Sequence, residues 1–325
     1  MHNSPMTRAE GTTLVLGASG FLGPHVVAAA VAHSGAEATF ADPLGPPVVG
    51  ACRRPELAPL FSNPRDAAAW EATDLSAPGA AAALLALVQP ECVVSCLALS
   101  RVDECEAAPE LARRINAEVA GEVAGWCAER DARLVHVSTD LVFGAEDAPE
   151  GGFTEAAAPA PRSVYGATKA EAESLVLDAC RGALVVRLPL LYGNSGGREL
   201  GASDGLLAAV DRGEDPPLFV DEWRTPLEVQ NAAAALVELL HTGASGILHV
   251  AGSSRVSRYE LGLAVLRAMG LPEAEAVGLV RATHVADASA SELRPRDVSL
   301  ETSRASGLLA TRLLGVREGT ERAMR

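Results

Sequence analysis

Between Thr12 and Leu188, short apolar runs alternate with longer segments whose apolar side chains recur at helical spacing. A short run of β-branched and apolar residues is typical of a buried strand, and a one-sided apolar stripe is typical of a helix. The predicted strands are Thr12–Leu16, Val48–Cys52, Trp70–Asp74, Cys92–Leu97, Arg133–Val137 and Ala183–Leu188. The predicted helices are Pro24–Ala32, Ala80–Val88, Pro109–Arg130 and Tyr165–Ala179. This alternation predicts an α/β fold, with a doubly wound parallel sheet covered by helices on both faces.

The pattern changes after the sixth predicted strand, where glycines and acidic residues replace the regular alternation. Phe219–Val220 and Ile247–Val250 are apolar enough to form strands, and we expect both to return to the sheet. We therefore expect a first domain over residues 12–192 and a smaller, C-terminal substrate-binding region over residues 193–325. Segments near 219–252 are expected to rejoin the sheet of the first domain.

The first predicted strand runs directly into a glycine-rich loop that opens the first predicted helix. Glycines allow a tight turn and let the backbone approach a diphosphate, whose charge is stabilised at the helix N-terminus. A plain turn would also explain the glycines, but the position between strand and helix favours the dinucleotide-binding loop of a Rossmann fold. The candidate cofactor-binding residues of this loop are Gly17, Ser19, Gly20, Phe21, Leu22 and Gly23.

The residues after the second predicted strand bear on which dinucleotide is bound. Arg53 and Arg54 stand there, where a cation can pair with the 2′-phosphate of NADP. Two solvated surface charges are the plainer interpretation. Asp42, at the end of the rival strand Ala38–Asp42, would instead favour NAD. Because the run before the two arginines is the better buried strand, NADP(H) is preferred over NAD(H).

Further cofactor candidates follow the third and fourth predicted strands. Asp74 and Leu75 are placed to contact an adenine, although Asp74 serves equally well as the cap of the following helix. The cofactor set is completed by Cys96, Leu97, Ala98 and Asn116. Together with the glycine loop, these positions predict a binding crevice at the carboxyl ends of the strands.

Tyr165 and Lys169 are four residues apart and therefore share one helix face. A phenol with a pKa of about 10 is a poor acid–base group at neutral pH, and a cation one turn away is expected to lower that pKa. Ser138 and Thr139 end the fifth predicted strand, where a hydroxyl can polarise a substrate carbonyl or simply cap the following turn. The order along the chain predicts a reductase site with Thr139, Tyr165 and Lys169 as catalytic residues.

Composition narrows the functional class. The 325 residues carry a formal charge of −15, which opposes binding to nucleic acid or to an anionic membrane surface. Six cysteines occur without a Cys-x-x-Cys pair or a histidine cluster, so no metal site is expected. His136 and His249 lie in apolar strands, where we expect packed residues rather than bases. The polar N-terminus and the short apolar runs predict a cytoplasmic protein without a membrane span.

Several segments resemble the dTDP-4-dehydrorhamnose reductases, a family of extended short-chain dehydrogenases/reductases. These segments are Val102-Asp103-Glu104-Cys105-Glu106, Ile115-Asn116-Ala117, Ala132–Gly144, Tyr165-Gly166-Ala167-Thr168-Lys169 and Ile247–Gly252. The resemblance implies NADPH-dependent reduction of a 4-keto-6-deoxy sugar on a nucleoside diphosphate, with Tyr165 supplying the proton and Thr139 orienting the oxygen. It is also compatible with a homodimer. Candidate substrate contacts are Ser100, Asp103, Ser138, Arg187, Leu190, Trp223 and Arg224.

The chain departs from the family pattern at positions that would face the sugar. Leu141 stands where the family commonly has Tyr, Leu190 where it has Trp, and Asn231 where it has Asp. These changes leave the cofactor chemistry intact and leave the sugar open. The run Leu188–Gly193 also resembles the regulatory β subunit of methionine adenosyltransferase, so a non-catalytic NADP-binding subunit is one alternative. An NAD-dependent epimerase or dehydratase of nucleotide sugars is another.

Overall fold

The computed structural model describes residues 11–34, 48–57 and 68–324. Its centre is a parallel sheet of seven strands in the order β11-β6-β5-β4-β1-β2-β3. The strands are β1 (Thr13–Leu16), β2 (Val48–Cys52), β3 (Ala69–Ala72), β4 (Cys92–Ser95), β5 (Arg133–Thr139), β6 (Leu184–Leu188) and β11 (Gly246–His249). The doubly wound Rossmann fold predicted from the sequence is confirmed.

Helices cover both faces of this sheet. The helices are α1 (Gly23–Ser34), α2 (Ala80–Val88), α3 (Val102–Ala107), α4 (Pro109–Arg113), α5 (Val119–Arg130), α6 (Val164–Ala179), α7 (Ala202–Asp211), α8 (Val229–Leu240), α9 (Arg258–Ala268), α10 (Glu273–Gly278), α11 (Ser303–Leu308) and α12 (Val316–Ala323). Helices α1 and α8 pack on one face, and α2, α5 and α6 pack on the other. The sheet is therefore buried on both sides, which explains why its strands are continuous apolar runs.

The strand order places the switch point of the sheet between β1 and β4. Chain connections leave these neighbouring strands in opposite directions, which opens a crevice at their carboxyl ends. Leu16 at the end of β1 is paired with Ser95 at the end of β4, and Cys96 N donates to Leu16 O at 3.0 Å. The glycine loop and the segment that begins at Cys96 therefore leave the sheet side by side, where such folds bind their ligands.

The C-terminal part corrects one expectation and confirms another. Strand β11 returns to the central sheet beside β6, as expected. Strand β8 (Pro217–Phe219) does not return, because β11 already occupies the edge at β6; it pairs instead with β13 (Arg281–Thr283) in a separate small sheet. Short pairs complete the region: β7 (Leu191–Tyr192) with β10 (Leu227–Glu228), and β9 (Trp223–Arg224) with β12 (Val256–Ser257).

Two further differences concern helices. The single helix expected over Pro109–Arg130 is α4 and α5 joined by a π-helical turn, Arg114–Glu118. Helix α8 was not predicted, although its apolar stripe packs firmly against α1. Within the described ranges, no helix is both long and apolar enough to cross a membrane.

Candidate active site

The glycine loop forms a cradle that only glycine can build at its ends. Gly17 has φ +74°, and a Cβ there would lie 2.8 Å from Leu97 N. Gly20 N closes the turn onto Gly17 O at 3.0 Å. In the described structure, the N–H groups of Phe21 and Leu22 have no protein acceptor, and they lie at the N-terminus of α1. This arrangement fits the diphosphate of a dinucleotide.

A cavity of about 300 Å³ extends from this cradle along the end of β2. Arg53 and Arg54 are exposed at its edge, where the sequence analysis places the 2′-phosphate. Asp74 accepts hydrogen bonds from Ser76 N (3.0 Å) and Ser76 Oγ (2.7 Å), which lower its pKa; it closes a local turn and does not cap α2, whose N-cap residue is Gly79. The other predicted cofactor residues on its wall are Gly17, Ser19, Gly20, Leu75, Cys96, Leu97 and Ala98. The rival strand with Asp42 lies outside the described residues.

A second cavity, of about 380 Å³, continues from the glycine loop towards the centre of the molecule. Thr139, Tyr165 and Lys169, the three residues predicted to be catalytic, all line it. Phe21 and Leu22 of the cradle line the same cavity. Of the predicted substrate contacts, those on the wall of this cavity are Ser100, Ser138, Leu190 and Arg224. The structure therefore brings the predicted chemistry and the predicted cofactor loop to one space.

Lys169 is fully buried on α6 and points its ammonium group at the end of β5. Its Nζ donates to Val137 O at 2.7 Å and lies 3.0 Å from His136 Nε2. Burial lowers the pKa of Lys169 to about 8. Burial and the nearby ammonium also hold the pKa of His136 well below its usual range, so a neutral His136 accepts this contact. His136 was correctly predicted to be a packed residue, but its contact with Lys169 was not predicted.

Tyr165 differs from the sequence expectation in its acidity. Burial raises the pKa of its phenol well above the ordinary value, and the hydrogen bond with Thr139 opposes this only in part. Lys169 does not offset the burial, because its ammonium is directed at Val137 O and His136. Tyr165 is consequently protonated at neutral pH, which is the form required of a proton donor.

Thr139 combines the two roles that the sequence left open. Its Oγ1 accepts from Leu141 N at 3.2 Å, which caps the short 3₁₀ turn Asp140–Val142, and it lies 3.2 Å from Asp140 Oδ1 as a donor. The same hydroxyl faces the cavity beside Tyr165. The cap fixes the Thr139 oxygen in place; its one proton is donated to Asp140 here and would rotate towards a carbonyl oxygen bound in the cavity.

Arg187 was predicted to contact the substrate, and the structure contradicts this. Its Nε and Nη2 donate to Glu173 Oε1 and Oε2 at 2.9 and 2.7 Å, and Nη1 lies 3.3 Å from His249 Nε2. Ser138 Oγ donates to Glu173 Oε1 at 2.6 Å. We call Ser138, Glu173, Arg187 and His249 the closed cluster. Arg187 has no exposed surface and does not line the cavity; Ser138 lies on the wall with its hydroxyl engaged inside the cluster.

Three other predicted contacts lie away from the cavities. Asn116 is buried and holds Leu99 in place: its Oδ1 accepts from Leu99 N at 2.8 Å and its Nδ2 donates to Leu99 O at 3.1 Å. It supports the crevice rather than lining it. Asp103 is exposed and paired with Arg101 at 2.7 Å. Trp223 is covered by the Arg255 guanidinium, 4.2 Å from the ring centroid, so its face is already occupied.

Arg224 is buried beside a group of charges whose hydrogen bonds are incomplete. Its Nε is 3.6 Å from Asp140 Oδ2, an oxygen that has no hydrogen bond, and its Nη2 is 3.3 Å from Glu222 Oε1. Arg258 N donates to Glu222 O at 3.0 Å, while the buried Arg258 Nη1 has no partner in the described structure. We call Asp140, Glu222, Arg224 and Arg258 the open cluster. Burial raises the pKa of Asp140 to about 6.

A third cavity, of about 490 Å³, adjoins the open cluster on its far side. Arg258, Arg281 and Arg294 line it, against one acidic residue, Asp287. The Arg294 guanidinium lies over the Phe219 ring at 5.1 Å, and Arg294 Nη1 is 3.5 Å from Glu222 Oε2. Glu222 also lines the catalytic cavity, so it stands between the two spaces. This basic cavity was not predicted from the sequence, because its residues come from three distant segments.

The fold and this site define a dinucleotide-binding protein of the short-chain dehydrogenase/reductase type, with a Tyr–Lys pair facing the glycine loop. The model of the RmlD substrate binding domain matches residues 11–325, so the chain belongs to that family. The resemblance to dTDP-4-dehydrorhamnose reductases found in the sequence is thereby confirmed.

Individual relatives support this assignment to the family. The probable low-salt glycan biosynthesis reductase Agl14 of Haloferax volcanii is 34% identical over 219 residues, 67% of this chain and 71% of that one. The dTDP-4-dehydrorhamnose reductase of Mycolicibacterium smegmatis is 35% identical over 55% of this chain and 54% of its own length. The methionine adenosyltransferase 2 subunit beta of Rattus norvegicus is 31% identical over 57% and 56%. The matches to the last two thus span little more than half of those proteins.

A solved structure extends the comparison to the whole fold. The dTDP-4-dehydrorhamnose reductase of Bacillus anthracis, in complex with NADP, superposes with a TM-score of 0.75 at 21% identity. The superposition covers 97% of this chain and 98% of that one. At this identity the likeness establishes the shared fold, including the C-terminal region, and leaves the ligands to be argued from the site.

Proposed function

We propose that this protein is an NADP-dependent reductase that reduces the keto group of a sugar carried on a nucleoside diphosphate. One observation carries the proposal: Thr139, Tyr165 and Lys169 line a single cavity together with Gly20, Phe21 and Leu22 of the glycine loop. A hydride donor held at that loop and a carbonyl held at Tyr165 would meet in this space. The reductase names of two of the relatives described above support the same reaction class.

The protein supplies the general acid for the reaction. When bound, NADPH supplies a hydride from C4 of its nicotinamide, which adds to the carbonyl carbon. Tyr165, protonated at neutral pH, donates its proton to the carbonyl oxygen and is reprotonated from solvent, so the products of the cycle are an alcohol and NADP⁺. Thr139, whose single hydroxyl proton is donated to Asp140 in the described structure, would turn that proton to the same oxygen and polarise the carbonyl. Lys169 is the residue that would hold the nicotinamide ribose.

NADP(H) rather than NAD(H) is proposed because of the charge at the end of β2. Arg53 and Arg54 are exposed on the wall of the first cavity, free to meet a 2′-phosphate. The structure of the Bacillus anthracis relative with NADP supports the choice. The glycine positions and the free N–H groups of Phe21 and Leu22 serve either dinucleotide, so the two arginines alone discriminate.

The basic cavity next to the open cluster is the proposed site of the substrate's diphosphate. Arg258, Arg281 and Arg294 give this space an excess of positive charge, and the unpartnered Nη1 of Arg258 needs an acceptor. A sugar attached to that diphosphate would reach past Glu222 to Tyr165. The name of the Mycolicibacterium smegmatis relative makes dTDP-4-dehydrorhamnose the first substrate to test. Leu190, on the cavity wall in place of the family's Trp, leaves the sugar itself open.

The test follows NADPH oxidation with dTDP-4-dehydrorhamnose. We expect turnover by the wild-type protein, and a loss of about 10²–10⁴-fold in kcat for Tyr165→Phe, because the proton donor is removed. Tyr192→Phe is the matched control: the Tyr192 hydroxyl is buried without a partner in the described structure, so its loss should leave kcat unchanged. A wild-type protein that binds NADPH but reduces no keto-sugar nucleotide would refute the proposal.

The same assay addresses a second function, a regulatory subunit that binds NADP without turnover. Leu141 and Leu190 make the substrate side of the catalytic cavity apolar, and methionine adenosyltransferase β subunits are among the relatives. Under this alternative, NADPH binds, no keto sugar is reduced, and Tyr165→Phe has no effect. Oxidised NAD retained through purification would instead indicate an epimerase or dehydratase.

A further inference from the structure

A segment of the C-terminal region lies against the glycine loop and contacts it through one arginine. Arg198 Nη1 donates to Ser19 O at 2.7 Å, and Arg198 Nη2 donates to Gly20 O at 2.9 Å. Next along the chain, Gly201 lies so close to the Phe21 ring that a Cβ would come within 2.5 Å of it. The glycine loop is therefore clamped by residues that are almost 180 positions away in the sequence.

The clamp itself is held in a defined shape. Ser195 Oγ accepts from Arg198 N at 3.2 Å and from Leu200 N at 3.3 Å, and Ser195 O accepts from Arg198 Nε at 3.3 Å. Ser195 N donates to Asp204 Oδ2 at 2.7 Å, which fixes the segment to the start of α7. The guanidinium is thus oriented by its own loop before any ligand arrives, so little ordering is required of it on binding.

The two carbonyls that Arg198 contacts belong to the peptide groups that carry the N–H of Gly20 and of Phe21. The guanidinium thus caps the negative ends of two peptide dipoles, and the Phe21 N–H is a free donor of the cradle on the other side. A cation at the carbonyl end polarises the peptide and makes its N–H a stronger donor. Its charge also adds to the positive end of α1.

The charge of Arg198 is not balanced by the protein. Within the described part of the chain, no carboxylate lies within ion-pair distance of its guanidinium, and its three hydrogen bonds are all to carbonyl oxygens. The side chain is half-buried on the wall of the first cavity, beside Arg53 and Arg54. A partly desolvated cation without a counter-ion destabilises the empty site, and an arriving diphosphate removes that cost.

We infer that Arg198 is a positioning residue for the cofactor diphosphate, acting through the carbonyls of Ser19 and Gly20. It raises the affinity for any dinucleotide, whereas Arg53 and Arg54 act only on the 2′-phosphate. The inference rests on the dinucleotide binding of the proposed function. It also links the two halves of the site, because Leu200 in the same segment lines both the cofactor cavity and the catalytic cavity.

The experiment measures the Kd of three ligands for the full chain by calorimetry or competition. For Arg198→Met we expect Kd to rise about ten-fold for NADPH and by the same factor for NADH, the size of effect of one charge-assisted contact. Adenosine 2′-monophosphate, which lacks the diphosphate, should bind within about two-fold of wild type. Arg198→Lys, which keeps the charge, should recover part of the loss. A purely structural role would weaken all three ligands together.

Arg317→Met is the matched control, since Arg317 is an exposed arginine of the same C-terminal region that pairs with Glu321 at 3.4 Å. It should leave every Kd unchanged. Unchanged NADPH binding by Arg198→Met would overturn the inference, as would an equal loss for adenosine 2′-monophosphate. Loss of NADPH binding with NADH unaffected would assign Arg198 to the 2′-phosphate and also overturn it. If wild type binds neither dinucleotide, the proposed function itself fails.

Discussion

The closed and the open cluster are both buried groups of charge near the carboxyl ends of the strands, yet they differ in how completely they are paired. In the closed cluster, Arg187 and Glu173 share two hydrogen bonds of 2.9 and 2.7 Å, and Ser138 adds a third of 2.6 Å. In the open cluster, Asp140 and Arg224 are 3.6 Å apart without a hydrogen bond to Asp140 Oδ2. One cluster is complete without a ligand and the other is not.

This difference separates structural charge from binding charge. Each guanidinium nitrogen of Arg187 already has a partner and the residue has no exposed surface, so Arg187 stabilises the fold rather than meeting a ligand. A buried donor without an acceptor, such as Arg258 Nη1, costs free energy until an anion arrives. Arg187 and Arg224 were both predicted from the sequence to contact the substrate. A sequence pattern shows that a charge follows a strand, but it does not show which partner satisfies that charge.

The largest effect expected from the comparison is on stability. Arg187→Met should lower the free energy of unfolding by about 3–5 kcal/mol, because it leaves the Glu173 carboxylate buried without its cation. The KM for the nucleotide sugar should change little in the protein that remains folded, since Arg187 does not line the cavity. Denaturant unfolding and steady-state kinetics on the same preparation measure the two quantities.

Arg113→Met is the control for losing an arginine ion pair as such. Arg113 pairs with Glu171 at 2.6 Å on the exposed surface, where removal of a pair typically costs about 0–1 kcal/mol. If Arg187→Met were as stable as Arg113→Met but had a raised KM, the closed cluster would belong to the binding site after all.

The sequence predicts the features that depend on neighbouring residues, and it does not predict those that depend on contacts between segments far apart in the chain. The doubly wound parallel sheet, the glycine loop and the shared face of Tyr165 and Lys169 follow from local periodicity and chain order, so they were predictable. The pairing of β8 with β13 and the contact of Arg198 with Ser19 join segments far apart in the chain. No local pattern encodes such partners. Asn116 is an intermediate case. Its segment resembles the family, but its hydrogen bonds to Leu99, made from the π-helical turn Arg114–Glu118, were not predicted.

A smaller effect, on binding, is expected in the open cluster. Arg258→Met should weaken binding of dTDP about ten-fold, because a donor to the diphosphate is lost. The free energy of unfolding should stay the same or rise, because the variant removes a buried donor that has no partner in the described structure. Calorimetric titration with dTDP and denaturant unfolding measure the two effects.

Arg267→Met is a control on the same helix, α9, since Arg267 is exposed and hydrogen-bonded to Glu273 at 2.6 Å, outside the basic cavity. Its dTDP affinity should equal that of wild type. A loss of stability in Arg258→Met without a change in dTDP affinity would show that Arg258 has a structural role. The proposed difference between the two clusters would then be wrong.

A further effect is expected in the pH dependence of stability, to which the two clusters should contribute with opposite signs. In the closed cluster, His249 lies 3.0 Å from Phe153 O and 3.3 Å from Arg187, and burial lowers its pKa to about 4. The unfolded chain therefore binds the extra proton, and stability falls as the pH drops from about 6.5 towards 4. In the open cluster, Asp140 has its pKa raised to about 6, so the folded chain binds the extra proton.

Stability from Asp140 is therefore fully present below about pH 4 and is lost as the pH rises through 6. Each group contributes a slope of at most about 1.4 kcal/mol per pH unit. Unfolding free energies of wild type, His249→Gln and Asp140→Asn across this range separate the two contributions. Relative to wild type, His249→Gln should gain stability as the pH falls, and Asp140→Asn should lose it. Slopes of the same sign would mean that the two clusters hold their charges in the same way, and incomplete pairing would then no longer mark the ligand site.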